Sequence, residues 1–540
     1  MIRLSINALR KSATGRNPLI YLGRTLPQAS ARQAFVVSWV LLSLISLLWS
    51  IATPIAASPD EPAHAVKAAA VVRGEFLGPL ASFGSYVDVP RYVAWTSSQA
   101  CYARQPAVSA DCIPDVKGNP FTTILTTTTA GQYNPIYYIL VGWPSLLFRD
   151  STGIFAMRFV SGILSSLFLA LGVMMISTWR RRAVPLAAYA IALTPMFFFL
   201  NGAVNPNTLE IAGTLATFVG MLSIVLHPDR SLLVSRAVVV IVAASLAVNS
   251  RGLSFVWIAV ALFAPLVFCS RQELFGLLKT RVVRLAIGVI GIATAIALIW
   301  IPVAAALSVP SPDAGSVPAP VYPLTGASPL TGFTIMISQL PSQVNEMVGY
   351  FGWIDTAAPQ GVYAIWFMLM GSLVVAALIV LRGRAAIFAL ILGGAFVLLP
   401  ALAQASYIRT GGFIWQGRYT LPLFVMLLFG IGAALTRVEV KLPTFSSRRL
   451  MLVALVAWGI GQIVCFVVVL RRYAVGVGES YLSFITDPKW QPPGGLVAVL
   501  VLFGVSILAT VLVGVLWVAP SAMTERASKT ATPILPSALR

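Results

Sequence analysis

Apolar runs of about 20 residues recur from one end of the chain to the other, each long enough to cross a hydrocarbon core roughly 30 Å thick. Nothing else in the sequence constrains the fold as strongly. A soluble domain needs about a quarter of its residues charged. Here 10% are charged and 58% are hydrophobic, with a mean hydropathy of +0.87. The chain reads as an all-α polytopic membrane protein whose outer surface is mostly lipid. Runs near 34–57, 154–178, 183–201, 206–227, 234–250, 252–270, 284–308, 362–381, 385–404, 419–436, 449–470 and 494–518 predict about twelve transmembrane helices. The stretch 134–149, "NPIYYILVGWPSLLFR", is a further candidate, but it is short and Pro135 and Pro144 interrupt its helical pattern.

Loop charge decides the status of that stretch. If 134–149 lies in the interface, about two-thirds of the Lys and Arg residues fall on the cytoplasmic side and three-quarters of the acids fall outside. If it crosses, Arg180 to Arg182 and most later basic clusters turn outward. The first arrangement gives a basic cytoplasmic tail over 1–33 and a single transmembrane domain over 34–518. Its large outer loops are 58–153 and 309–361, and a cytoplasmic tail follows over 519–540. The apolar run 34–57 exceeds a signal-peptide core of about 7–15 residues and reads as an uncleaved anchor. The net charge of +20 thus encodes orientation, and no basic patch interleaved with aromatics points to nucleic acid. Arg471 and Arg472, placed outside, fit the charge rule poorly.

Polar residues gather in the outer segments. "SPDEPAHAVK" follows the first span and predicts a helix from about Glu61 to Arg73, with Pro62 in its first turn and Gly74 at its end. Asp60, His64 and Lys67 share one face of that helix, with Glu61 at the edge, and its small apolar remainder suits the membrane surface. Helix capping and chemistry both account for the two carboxylates. Tyr133, Asn134, Tyr137 and Tyr138 open the 134–149 stretch, where the two later tyrosines suit interfacial anchoring. Asn205, Asn207 and Glu210 begin a span, with Asn207 and Glu210 spaced as a capping box and Glu210 costly inside a membrane. Arg251 and Arg418 sit at outer helix ends, the latter beside Gln416 and Tyr419, where a guanidinium suits a headgroup-level phosphate. Asp355 precedes another span. Cys101 and Cys112, both in the first outer loop, form a disulfide in an oxidising compartment or remain as two thiols. With His64 and His227 the chain's only histidines, a multi-His zinc site is excluded. A divalent cation on Asp60 and Glu61 stays open. HExxH, Walker and GxGxxG signatures are absent.

"PDEPAH", "QYNPIYY", "NPN", "FGWIDT" and "QGRYTLP" occur in this order over roughly 35–440, an arrangement that resembles bacterial predicted membrane proteins of domain of unknown function 2142. More distantly the layout resembles the GT-C superfamily of integral-membrane glycosyltransferases. There an acidic residue lies on a surface helix of the first outer loop, and a Pro-Tyr-Tyr-like helix precedes the second span. The resemblance implies transfer of a sugar from a polyprenyl-phosphate carrier to a cell-envelope acceptor at the outer face of a bacterial plasma membrane. Asp60 would be the catalytic carboxylate, with Glu61 its neighbour or substitute. His64, Lys67, Tyr133, Asn134, Asn205, Asn207, Glu210 and Asp355 would line the substrate site, and Arg251, Gln416, Arg418 and Tyr419 would hold phosphate. The rival reading is a multi-span transporter or lipid flippase. Against it, the polar residues cluster outside the bilayer centre, and no matching interrupted helices mark two halves.

Overall fold

The computed structural model describes residues 30–148, 150–311, 321–438 and 444–517. Apart from Ser30 to Gln33, the expected tails 1–33 and 519–540 lie outside the described residues, as do residues 312–320 near the start of the expected loop 309–361. Among the described residues, nine helices are long and apolar enough to cross a membrane. They are Ala31–Ala52, Ser151–Ser177, Pro206–Leu226, Arg281–Leu307, Gln360–Val380, Gly383–Gly411, Gly417–Arg437, Arg449–Ala474 and Leu496–Trp517. The chain is a multi-pass membrane protein.

Three of the expected crossings differ in kind. The run 183–201 is a pair, Ala183–Ala192 and Pro195–Asn201, bent by 63°. Thr194 makes the bend by capping the second half, its hydroxyl accepting from the Phe197 N–H, while Pro195 cannot continue the first helix. The runs 234–250 and 252–270 become the shorter apolar helices Leu233–Val248 and Ser254–Phe268. Pro265 tightens the end of the second into a 3-10 turn. Counting the bent pair as one span gives ten. The stretch 134–149 forms helices of seven and four residues, Ile136–Gly142 and Pro144–Leu147, each too short to span.

Small and hydroxylated residues let the helices approach, as expected where lipid removes the hydrophobic drive between them. Ser46 on Ala31–Ala52 meets Ser166 on Ser151–Ser177 at 3.3 Å and accepts from the Asn201 amide at 2.7 Å. Pro206–Leu226 and Gly417–Arg437 form the centre, with 83% and 78% of their apolar windows buried, whereas Arg281–Leu307 is peripheral at 11%.

The segment expected as the first outer loop, 58–153, carries its own short elements. Strands Ser85–Pro90 and Thr123–Thr128 pair antiparallel, and Cys101 and Cys112 are disulfide-bonded. The expected surface helix exists as Glu61–Val71, but every residue except Ala63 is buried, so it lies within protein rather than on the membrane surface. Ile136–Gly142 packs across it. A Cβ on Gly142 would stand 2.2 Å from the Ala68 carbonyl oxygen, so only glycine permits this crossing.

Arg471 and Arg472, awkward for the charge rule, are anchors. Arg472 donates to the carbonyls of Tyr102, Gln105 and Val108 and pairs with Asp355 at 3.1 Å. Arg471 donates to the carbonyls of Val477 and Glu479 and lies over the Tyr481 ring. Their charge is spent on fixing the disulfide loop and the following turn.

Candidate functional site

Asp60 has φ +64, a left-handed conformation uncommon outside glycine and enriched at functional sites. It holds the N-cap position of Glu61–Val71 without capping it. Capping therefore does not account for its carboxylate. Its side chain is 46% exposed and accepts from Arg418 Nη2, 358 residues away. Burial pushes the Asp60 carboxyl up, and the Arg418 guanidinium overrides it and holds the group below its usual value.

Arg418 is nearly fully buried. Its other donors reach Gln416 Oε1 at 2.7 Å, the Pro59 carbonyl at 3.1 Å and the Tyr419 hydroxyl at 3.1 Å. Tyr419 also presents its ring to Arg251, whose guanidinium carbon lies 4.5 Å from the centroid. Arg251 donates to Asn207 Oδ1. Two guanidinium groups thus share one tyrosine beside one half-exposed carboxylate. Arg251 also lines a cavity of about 240 Å³ with Gln132, Tyr133, Asn134, Asn249 and Trp300.

The structure brings Asp60, Arg251, Gln416, Arg418, Tyr419 and Asn207 together. Glu210 sits at the edge of this group and accepts from the Ser254 hydroxyl at 2.6 Å. The expected Asn207–Glu210 capping box is absent. Asn205 is the N-cap of Pro206–Leu226, its Oδ1 accepting from the Asn207 N–H. Asn134 bonds Asn249 on the cavity wall.

His64 adjoins the cluster with a different role from the one expected. Its ring stacks on Tyr133 and Tyr138, and Nδ1 lies 2.9 Å from the Tyr138 hydroxyl. Burial drives its pKa down to about 3, so it is neutral at pH 7 and brings no positive charge to Asp60. Tyr137 and Tyr138 are buried partners, not headgroup anchors, and Tyr137 bonds the Ser161 hydroxyl. Lys67 turns from the cluster and donates to the carbonyls of Phe76 and Gly131, with its pKa pushed down by burial to about 8.

Glu61 and Asp355 are bound elsewhere. Glu61 is fully buried and bidentate to Arg158, with both N–O distances at 2.6 Å, and accepts from the Val204 N–H. Asp355 pairs with Arg472 and accepts from the Arg104 N–H. Asp60 and Glu61 each pair with their own arginine, so the two neighbouring carboxylates do not act as one shared pair. Sequence reasoning missed Arg158, although a charge inside an apolar run was the available signal. It also missed Glu346, whose carboxylate accepts from the Gly417 N–H at 2.6 Å and so fixes the turn that presents Arg418.

The neutral His64 has a measurable consequence. The unfolded imidazole binds a proton near pH 6.5 that the folded ring refuses until about pH 3. Stability from this site is therefore complete above pH 6.5 and declines as pH falls toward 3. At pH 5 the loss is about 2 kcal/mol. Purified wild-type protein is expected to unfold at a lower temperature at pH 5 than at pH 7, and His64→Asn to lose most of that difference. Equal acid sensitivity in both proteins would contradict this assignment.

A family model described as predicted membrane protein, DUF2142, matches residues 42–427. No curated protein matches the chain. Among solved structures the chain is similar to ArnT from Cupriavidus metallidurans bound to undecaprenyl phosphate. The two share 13% identity at a TM-score of 0.46, covering 93% of this chain and 81% of that one. Apo ArnT from the same organism gives 14% identity and a TM-score of 0.44, covering 94% and 82%.

Proposed function

The chain belongs to the DUF2142 family of predicted membrane proteins, and on that premise we propose that it transfers a sugar from a polyprenyl-phosphate carrier to a cell-envelope acceptor. The observation that carries this reading is the Asp60 carboxylate, half-exposed in a left-handed turn and flanked by Arg418 and Arg251 around Tyr419. A carboxylate beside two cations meets the needs of glycosyl transfer from a phosphate. It takes a proton at one atom while the arginines stabilise negative charge gathering at another.

In this mechanism the acceptor hydroxyl gives its proton to Asp60 as its oxygen bonds to the anomeric carbon. The bond from that carbon to the phosphate oxygen breaks, and its electron pair leaves on the carrier phosphate. Arg418 and Arg251 neutralise the phosphate, and direct displacement inverts the anomeric centre. Asp60 is the base in preference to Glu61, because both Glu61 oxygens are committed to Arg158. Arg418 has a double duty. It keeps Asp60 ionised before substrate arrives, and its shift toward the phosphate lets the carboxylate become more basic. The site faces outside a bacterial plasma membrane with both termini cytoplasmic, and the Cys101–Cys112 disulfide supports an oxidising compartment for the first loop.

The test is a comparison of cells with and without the gene. Lipid-linked sugar is expected to accumulate in the deletion strain while one envelope glycan loses a residue. An unchanged glycan profile with altered solute uptake would favour a transporter instead. Within the enzyme reading, Arg251→Gln and Arg418→Gln are each expected to lower transfer about 100–1000-fold through lost phosphate stabilisation, an effect of the size seen for a single oxyanion donor. Transfer assays over a range of carrier concentrations would check this, and wild-type rates in both variants would remove the arginines from the mechanism.

A further inference from the structure

The helix Arg271–Lys279 stands apart from every other helix near it. None of its residues is buried. It is nonetheless well formed, because Ser270 and Glu273 close a capping box: the Ser270 hydroxyl accepts from the Glu273 N–H, and the Glu273 carboxylate accepts from the Ser270 N–H. Leu274, Leu277 and Leu278 recur at i, i+3 and i+4 with Phe275 beside them, so one side is apolar. Phe275 is 63% exposed, a poor arrangement for a side chain in water. Lys279 lies on the polar side, and Arg271, Arg281 and Arg284 flank it along the chain. All four cations are exposed, and no carboxylate pairs with any of them among the described residues.

Position supplies the partner. The helix lies in sequence between the short apolar helix Ser254–Phe268 and Arg281–Leu307, which is long and apolar enough to cross a membrane, so it stands at the start of that candidate span. Arg281–Leu307 then runs about 40 Å at 1.5 Å per residue. It ends next to Ser308, whose hydroxyl accepts from Gln132 of the first outer loop. The basic cluster is therefore on the membrane face opposite the Asp60 site. Arg384 reaches the same region, donating to the Phe268 carbonyl at 3.1 Å.

We propose that Arg271–Lys279 lies in the plane of the membrane surface and, with Arg281 and Arg284, forms a docking surface for anionic glycerophospholipid headgroups. Phe275 and Leu278 enter the acyl boundary while the four cations face lipid phosphates. An apolar face joined to basic residues is the pattern of interfacial helices. The complementary charge is the anionic leaflet, where each nearby Lys or Arg adds about fivefold to binding. This surface is separate from the sugar-transfer reading and stands or falls without it.

The experiment titrates the full chain in detergent with phosphatidylglycerol or phosphatidylcholine and counts bound lipids by native mass spectrometry. Wild type is expected to hold phosphatidylglycerol at least about tenfold more tightly than phosphatidylcholine. R271Q/K279Q/R281Q/R284Q is expected to lose that preference while phosphatidylcholine binding stays unchanged. If this variant does not fold, R271Q/K279Q carries half the charge change and is expected to lose part of the preference. No preference in wild type, or an undiminished preference in the folded variant, overturns the proposal. The first result would point instead to an acidic protein partner, and full displacement by inorganic phosphate would overturn it in favour of a free-anion site.

Discussion

Asp60→Asn is expected to reduce sugar transfer by about 100–10,000-fold, the range of a lost general base, while protein yield and unfolding temperature stay near wild type. The separation of the two effects follows from the geometry. Asp60 caps no helix N–H, so no cap is lost. Its side chain is half-exposed, so its ion pair with Arg418 is partly screened by solvent. Asparagine tolerates the left-handed turn better than most residues and still offers Oδ1 to Arg418. What it cannot do is hold the acceptor's proton. The assay is transfer from membrane-extracted lipid-linked sugar, or restoration of the missing glycan in deletion cells. Retention of more than about a tenth of wild-type transfer would remove Asp60 as the base, since general-base contributions begin near 100-fold. Asp60→Glu keeps the charge but moves it by one methylene and fits the turn less well. It is expected to recover little, because transfer depends on where the carboxylate sits and not only on its charge.

The membrane helices were legible because burial in lipid demands length, and length is written in the sequence as apolar runs. The break in 134–149 was also legible, since Pro135 and Pro144 interrupt it and the stretch forms two short helices. Side-chain pairing was not legible. Asp60 and Glu61 are neighbours in sequence, yet one pairs with Arg418 and the other with Arg158. The left-handed turn at Asp60 separates them, and no local pattern announces such a turn in a non-glycine residue. The expected Asp60–His64–Lys67 face was not found, because the helix begins at Glu61 and Asp60 precedes it in a left-handed turn. Spacing does not reveal that the helix is buried, that His64 stacks between tyrosines, or that Lys67 is drawn toward two backbone carbonyls. The clustering of Asp60 with Arg251, Gln416, Arg418 and Tyr419 emerged only because outer helix ends meet at one place.

The largest expected stability effect belongs to Arg158. Arg158→Met is expected to destabilise the protein by about 3–5 kcal/mol or more, the cost of leaving one member of a buried ion pair alone. Arg158 and Glu61 are both fully buried, so neither can recover hydration. Arg158 also donates to the carbonyls of Ser50, Thr53 and Pro54, which join the end of Ala31–Ala52 to the Asp60 turn. Methionine fills some of the volume but leaves those acceptors and the Glu61 charge without donors. Glu61→Gln is expected to destabilise less, because Arg158 keeps three backbone carbonyl acceptors and one bond to the amide oxygen, while the amide NH2 displaces the other bond. Arg158→Met with Glu61→Gln should be less than additive, since the second change removes the charge the first leaves stranded. Unfolding midpoints of the four proteins measure the cycle. The same variants separate anchoring from catalysis. Glu61→Gln should retain near-normal turnover per folded molecule, as neither of its oxygens is free to take a proton. An unaltered midpoint with abolished turnover would make Glu61 the base and leave Asp60 as the partner that positions Arg418.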